Sequence, residues 1–137
     1  MKLGYFRGEW SFKRTVSGQG KIEGTAHFLP LTHTALQYRE KGILLHTSGQ
    51  QFDTFRDYIY RFDEGQIAVY FSEKPERLLH KLLIKGNQAK GTHQCDQDSY
   101  EALYTFTSPQ QFSLTYWVKG PRKDHVIHTL FNRQQVK

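Results

Sequence analysis

Five ionisable residues stand where strand patterning calls for apolar ones: Arg14, Glu40, Arg56, His80 and His93. Each lies in a segment that alternates apolar and polar side chains, the mark of a strand with one buried face. Charge on that face is costly unless it is paired or used. The residue types suggest a use. Arginine forks match carboxylate and phosphate, and histidine exchanges protons near neutral pH. Tyr38, Tyr58 and Tyr100 share these faces and offer flat walls with a polar tip. The set describes a polar cavity for a small anionic or polar-aromatic molecule. Arg14, Arg56 and His80 would contact it, Glu40 would orient the arginines, and His93 and the tyrosines would line the wall. The competing reading is an internal ion-pair network, for example Glu40 with Arg56 on adjacent strands.

Other chemistries use the same parts. An enzyme would take His80 or His93 as general acid/base, oriented by Glu40, with Tyr58 as proton donor. The chain has no serine elbow, phosphate loop or paired-carboxylate motif. A third class is a protein-interaction module whose interior is filled. His93 and Cys95 share a strand face, with His80 as a possible neighbour, and these are zinc-ligand types. Their spacing is not finger-like, and Cys95 serves equally as a small buried hydrophobe, so no metal site is assigned and the cofactor stays unknown. Arg122 and Lys123, after Gly120-Pro121, would form a basic rim that steers anions. Alternatively, they belong to a turn in which Asp124 pairs with its basic neighbours.

Nearly every segment of the chain has the period-2 pattern. The first strand, about Tyr5 to Val16, puts Trp10, Phe12, Arg14 and Val16 on one face. The next carries Ile22, Gly24, Ala26 and Phe28 inward, small residues that suit tight curvature. Leu36, Tyr38, Glu40, Gly42 and Leu44 share a face in the third. Gln51 to Phe62 places Phe52, Thr54, Arg56, Tyr58, Tyr60 and Phe62 together, and Glu64-Gly65 turns into Gln66 to Phe71. A polar loop around Pro75 leads to Leu78, His80, Leu82 and Ile84, although Lys74 to Leu83 also reads as a short helix. Ala89, Gly91, His93 and Cys95 follow, then Tyr100, Ala102, Tyr104 and Phe106, then Gln111 to Lys119 and His125 to Arg133. About 8–10 strands with short connections predict an all-β fold, an antiparallel up-and-down barrel, as one domain over residues 1–137. Closing the barrel would remove exposed strand edges.

The 137 residues carry a net charge of +6, which favours anionic partners, but no Lys/Arg run marks a nucleic-acid arm. The partner expected is therefore a small anionic ligand rather than nucleic acid or a membrane. The longest apolar run, Ile67 to Phe71, is far short of a helical span. One cysteine rules out an intrachain disulfide, and the first ten residues lack a signal-peptide core, so a cytoplasmic location is expected.

Gly8-Glu9-Trp10 resembles the Gly-x-Trp start of lipocalin and calycin barrels. The resemblance implies that Arg133, near the end of the last strand, lies over Trp10 and closes one barrel end. A longer match resembles a family of small calycin-like (lipocalin-like) domains of uncharacterised function. Its carriers are Gly8-x-Trp10 with Arg14, Tyr38-x-Glu40-x-Gly42, Arg56-x-Tyr58 and Phe71 through Arg77-x-x-His80. His93-x-Cys95-x-x-Asp98-x-Tyr100, Trp117-Val118, Gly120-Pro121-Arg122-Lys123-Asp124 and Arg133 complete it. The Ser72 to Glu76 loop lacks the family's Asp-Gly-Arg-like turn, and His125 replaces an aromatic. The resemblance implies an architecture and site positions and no reaction. Haem on a lone histidine, as in related nitrobindin barrels, has no specific support in these residues.

Overall fold

Alternation along the chain produces ten strands in the computed structural model, which describes residues 3–73 and 77–134, with only the backbone at Cys95. They are β1 (Gly8–Val16), β2 (Gly20–Thr32), β3 (Ala35–His46), β4 (Gln51–Asp63) and β5 (Gln66–Phe71), then β6 (Arg77–Lys85), β7 (Gln88–Cys95), β8 (Asp98–Ser108), β9 (Gln111–Lys119) and β10 (Asp124–Arg133). Each pairs antiparallel with its neighbour in the chain, and β1 pairs with β10, so the sheet is a closed up-and-down barrel. No helix among the described residues is long and apolar enough to cross a membrane.

The expected first strand is too long at its start. Leu3–Phe6 form a short helix, α1, and Gly8, at φ 118°, turns the chain into β1. That backbone conformation favours glycine. The turn lets α1 cap one end of the barrel with the fully buried Phe6. Under it lie Trp10 and Phe112, 4.8 Å apart edge to face, and Phe112 stacks on Phe131 at 4.4 Å. Trp10 Nε1 donates to the Phe6 carbonyl at 2.8 Å. The Arg133 guanidinium lies 4.2 Å from the Trp10 ring centroid. It also donates to the carbonyls of Arg7 (2.8 Å), Pro109 (3.1 Å) and Tyr5. One side chain thus covers the tryptophan and fastens the cap.

Gly24 and Gly42 face each other across β2 and β3. A Cβ on Gly24 would strike the Lys41 backbone, and one on Gly42 would sit 3.2 Å from the Phe12 ring. Here two strands approach closely under an aromatic ring, which only glycine permits, as the small inward residues of this segment predict.

Residues 77–85 are strand rather than helix, and residues 74–76 lie outside the described set. Within β6 the expected face is broken. Val69 pairs with His80 but Tyr70 pairs with Leu78, leaving Leu79 as an extra residue. Bulges re-aim side chains. His80 and Leu82 stay buried, Leu78 turns out to 39% exposure, and Leu79 packs against the core in its place.

Among the described residues, two ladders are shorter than their strands. The β4–β5 ladder runs only from Tyr58↔Phe71 to Asp63↔Gln66, and β6–β7 only from Leu83↔Lys90 to Lys85↔Gln88. Among the described residues, the first half of β4 therefore pairs with β3 alone. This stretch lies at the end opposite α1, the mouth. There, inward-facing Phe52 is 47% exposed.

Candidate functional site

The inward face of β1 carries Arg14 one step beyond Phe12, and the inward face of β3 carries Glu40 one step beyond Tyr38. Across the interior the two side chains meet fork to fork. Arg14 Nη1 donates to Glu40 Oε2 at 2.8 Å and Nη2 to Oε1 at 2.8 Å. Arg14 Nε donates to Thr129 Oγ1 at 2.8 Å, and the Tyr38 hydroxyl donates to Glu40 Oε1 at 2.5 Å. All four residues are buried. Charge-assisted, bidentate bonds of this kind are the strong ones. Burial works against the Arg14 charge, but hydrogen bonding and the charge of Glu40 outweigh it and raise its pKa. Burial also disfavours the Glu40 carboxylate, and the Arg14 bonds and charge outweigh that, holding its pKa below the usual range.

The ion pair is therefore Glu40 with Arg14. Glu40 and Arg56 are register partners on β3 and β4, yet their side chains are not paired. Glu40 orients one arginine, not both. Arg56 is exposed, and its Nη1 reaches the Tyr58 hydroxyl at 3.5 Å, the outer limit of a hydrogen bond. Among the described residues no carboxylate lies within ion-pair distance of it. Its positive charge still helps to lower the Glu40 pKa.

Beside this pair is a cavity of about 40 Å³. Arg14, Tyr38, Glu40, Arg56, Tyr58 and His80 all line it, so six of the expected site residues converge. Such a volume holds roughly one to three waters. With the side chains in these positions it does not hold an aromatic molecule, so the guest-sized interior suggested by the sequence is largely filled.

His80 shares a 2.7 Å hydrogen bond between Nδ1 and the Tyr116 hydroxyl. Burial, then the nearby charge of His93, lowers its pKa to about 4, so it is neutral at neutral pH. Tyr60 and Tyr104 share a 2.7 Å hydroxyl contact, and burial pushes both phenols up, as it does those of Tyr38 and Tyr116. These groups hold their protons.

His93 and Tyr100 do not line the cavity. They face each other on β7 and β8, with rings 6.0 Å apart and both half-buried. The Cys95 side chain lies outside the described set, so the His93–Cys95 pairing is not placed. Among the described residues no three His, Cys, Asp or Glu side chains gather to hold a metal. At the rim, Lys123 pairs with Asp98 at 3.2 Å, not with Asp124. Arg122 and Lys123 line a surface cleft with Asp96 and Asp98. The two carboxylates offset the charge expected to steer anions.

Tyr60, Tyr104, Tyr116 and Thr129 also line the cavity but were not among the expected site residues. Tyr60 and Tyr104 lie on the inward faces already read. Tyr116 was legible from its phase with Phe112 and Leu114. Thr129 had no signal, because it becomes polar lining only through its bond to Arg14.

A model of the family of unknown function DUF6314 matches residues 6–133. The chain belongs to this family. The match runs from Phe6, at the end of α1, to Arg133, and so includes every motif that carries the resemblance. The sequence has no match among curated proteins. The DUF6314 barrel is similar to the S-type phycobiliprotein lyase from Guillardia theta, with a TM-score of 0.73 and 8% identity over 98% of this chain and 91% of that one. It is also similar to the barrel EF1p2_mFAP2b bound to DFHBI (TM-score 0.51, 14% identity, 96% of this chain and 95% of that one). A redesigned β-barrel, b11L5F_LGL, gives a TM-score of 0.51 and 13% identity over 98% and 100% of the two chains. At these identities the likeness is one of fold: the DUF6314 chain is a closed, ten-stranded antiparallel barrel.

Proposed function

We propose that this barrel binds a small carboxylate-bearing molecule at its mouth, with the anionic end entering the cavity beside Arg56. The carrying observation is the contrast between the two inward arginines. Arg14 is locked by Glu40 and Thr129, so it forms the floor. Arg56 lines the same cavity, reaches solvent and, among the described residues, has only a long contact to Tyr58. Tyr58 stacks with Tyr38 at 5.9 Å and meets Phe71 at 5.9 Å, giving an aromatic wall beside that cation. The cavity admits a headgroup, and the body of the guest rests among aromatics at the open end. The architecture is compatible with this reading, since a barrel of similar fold is bound to DFHBI. Ligand binding and the ion-pair network then occupy different residues of one layer.

Native mass spectrometry of freshly purified protein comes first, followed by calorimetric titration with acetate, benzoate and 4-hydroxybenzoate. The expected order of affinity is 4-hydroxybenzoate, then benzoate, then acetate. Arg56→Gln should weaken binding by about tenfold or more, the scale of a lost charged hydrogen bond. Arg122→Gln should leave binding unchanged. Equal affinity in wild type and Arg56→Gln, or no adduct and no heat with any probe at millimolar concentration, overturns the proposal.

A further inference from the structure

A second polar layer stands between the cavity and the mouth. Tyr116 and Ile127 line the cavity, and they share a row across the sheet with Ala102 and Gly91. His80 on β6 spans this row, reaching Tyr116 on β9 at 2.7 Å past the small Gly91 and Ala102 of the two strands between. One inward step nearer the mouth is the row His125, Val118, Tyr100 and His93, register partners on β10, β9, β8 and β7. Val118 is buried and the other three are half-buried. Two turns hold this row in place. Lys123, between β9 and β10, pairs with Asp98 at 3.2 Å. The Asp98 carboxylate lies against Gly120, where a Cβ would strike it. The same ammonium lies within hydrogen-bonding reach of the Tyr100 hydroxyl. Lysine offers only donors, so it takes an oxygen lone pair and leaves the phenol hydrogen to donate elsewhere. Among the described residues, the His125 ring has no hydrogen-bond partner.

We propose, resting on Arg56 as the first anion subsite, that this row is a second one: the guest is an elongated dicarboxylate whose far end is received by Tyr100 and His125. Topology sets the two subsites apart. In the ring of ten strands β9 lies five steps from β4 in either direction, and β8 and β10 flank it. Tyr100 and His125 thus stand on the wall facing Arg56, and a molecule held at both ends crosses the mouth. Its middle is apolar, because Tyr58 and Phe71 stand beside Arg56 and Val118 lies between the two donors. The backbones of Tyr100 and His125 are two strand spacings apart, about 10 Å, which their long side chains can close over Val118. Together they offer one O–H and one N–H, and a carboxylate has two oxygens to accept them. Asp98 offsets the charge of Lys123, so selectivity comes from the paired donors rather than from steering.

Calorimetric titration of the full chain tests the proposal, with far-UV circular dichroism to confirm the fold of each variant. Terephthalate is set against benzoate, and the longer para-phenylenediacetate against phenylacetate. At least one diacid should bind about tenfold or more tightly than its monoacid, the scale of added charged hydrogen bonds. Its monomethyl ester, alike in shape but neutral at one end, should lose that advantage. Tyr100→Phe keeps the ring and the net charge, and it should lower the diacid-to-monoacid affinity ratio by about tenfold. His125→Gln should lower the ratio as well. Arg56→Gln should weaken monoacid and diacid alike. Monoacid binding that depends on Arg56 but improves with neither diacid overturns the second subsite and leaves the first standing. A diacid advantage undiminished in Tyr100→Phe also overturns it, since net charge alone would then explain the preference. No binding of any of the four acids overturns both subsites.

Discussion

Arg14 on β1 and Glu40 on β3 form a bidentate pair that spans the barrel interior over the intervening β2, with both contacts at 2.8 Å. Neither residue is the register partner of the other, so the pair exists only because the sheet closes and curves. Four hydrogen bonds, two within the pair and one each to Thr129 and Tyr38, leave little of either charge exposed to apolar surroundings.

That geometry makes the pair sensitive to loss of one member. Glu40→Ala leaves the Arg14 charge buried without its partner and should cost about 3–5 kcal/mol. The double variant Arg14→Met/Glu40→Leu removes both charges and should recover most of that loss, since apolar replacement of buried pairs is often neutral. Urea denaturation midpoints measured at one pH decide the matter. A double variant as unstable as Glu40→Ala would show that shape, not charge, dominates here.

Acid should reveal the same carboxylate. The Glu40 pKa is lowered in the folded state from 4.5, so the unfolded chain binds the proton more readily. Its contribution is fully present above the unfolded value and is lost as pH falls through the lower folded one. Stability of the wild type should drop below pH 4.5, and Glu40→Gln should flatten that part of the profile.

His80 acts in a neighbouring window. Its folded pKa is lowered from 6.5 to about 4. The unfolded chain therefore takes up a proton between these values that the native chain does not. Stability should fall as pH drops from 6.5 toward 4, by up to about 3 kcal/mol on the scale of 1.36 kcal/mol per pKa unit. His80→Gln should remove that slope and leave the steeper loss below it. Chemical denaturation at several pH values separates the two residues, and an unchanged slope in His80→Gln would contradict the assignment.

At the other end, Arg133→Ala removes the cation over Trp10, two hydrogen bonds to the carbonyls of Tyr5 and Arg7 at the cap, and one to Pro109 in the β8–β9 turn. A loss of roughly 2–4 kcal/mol is expected from the ring contact and the charged hydrogen bonds together. Trp10 should also become more accessible to acrylamide quenching. Arg133→Lys keeps the charge but not the fork, and it should recover only part of the stability.

Alternation alone determined most of the architecture. Period 2 assigns a side to each residue of a strand, so the ten strands, their inward faces and the placement of Arg14, Tyr38, Glu40, Arg56, Tyr58 and His80 in one interior were legible without coordinates. The Gly-x-Trp start also pointed to its closing arginine. Three features were decided elsewhere. Leu3–Phe6 became a helix because the barrel end needs an apolar cap, and four residues carry too little periodicity to say so. Leu79 turned inward because β6 bulges against β5, and a one-residue insertion in a ladder leaves no local mark. Which carboxylate meets which arginine depended on curvature: Glu40 opposes Arg56 along the ladder but reaches Arg14 through the interior. Strand pairing is a property of neighbouring backbones, whereas the ion pair and the small cavity beside it arise from how the closed sheet curves.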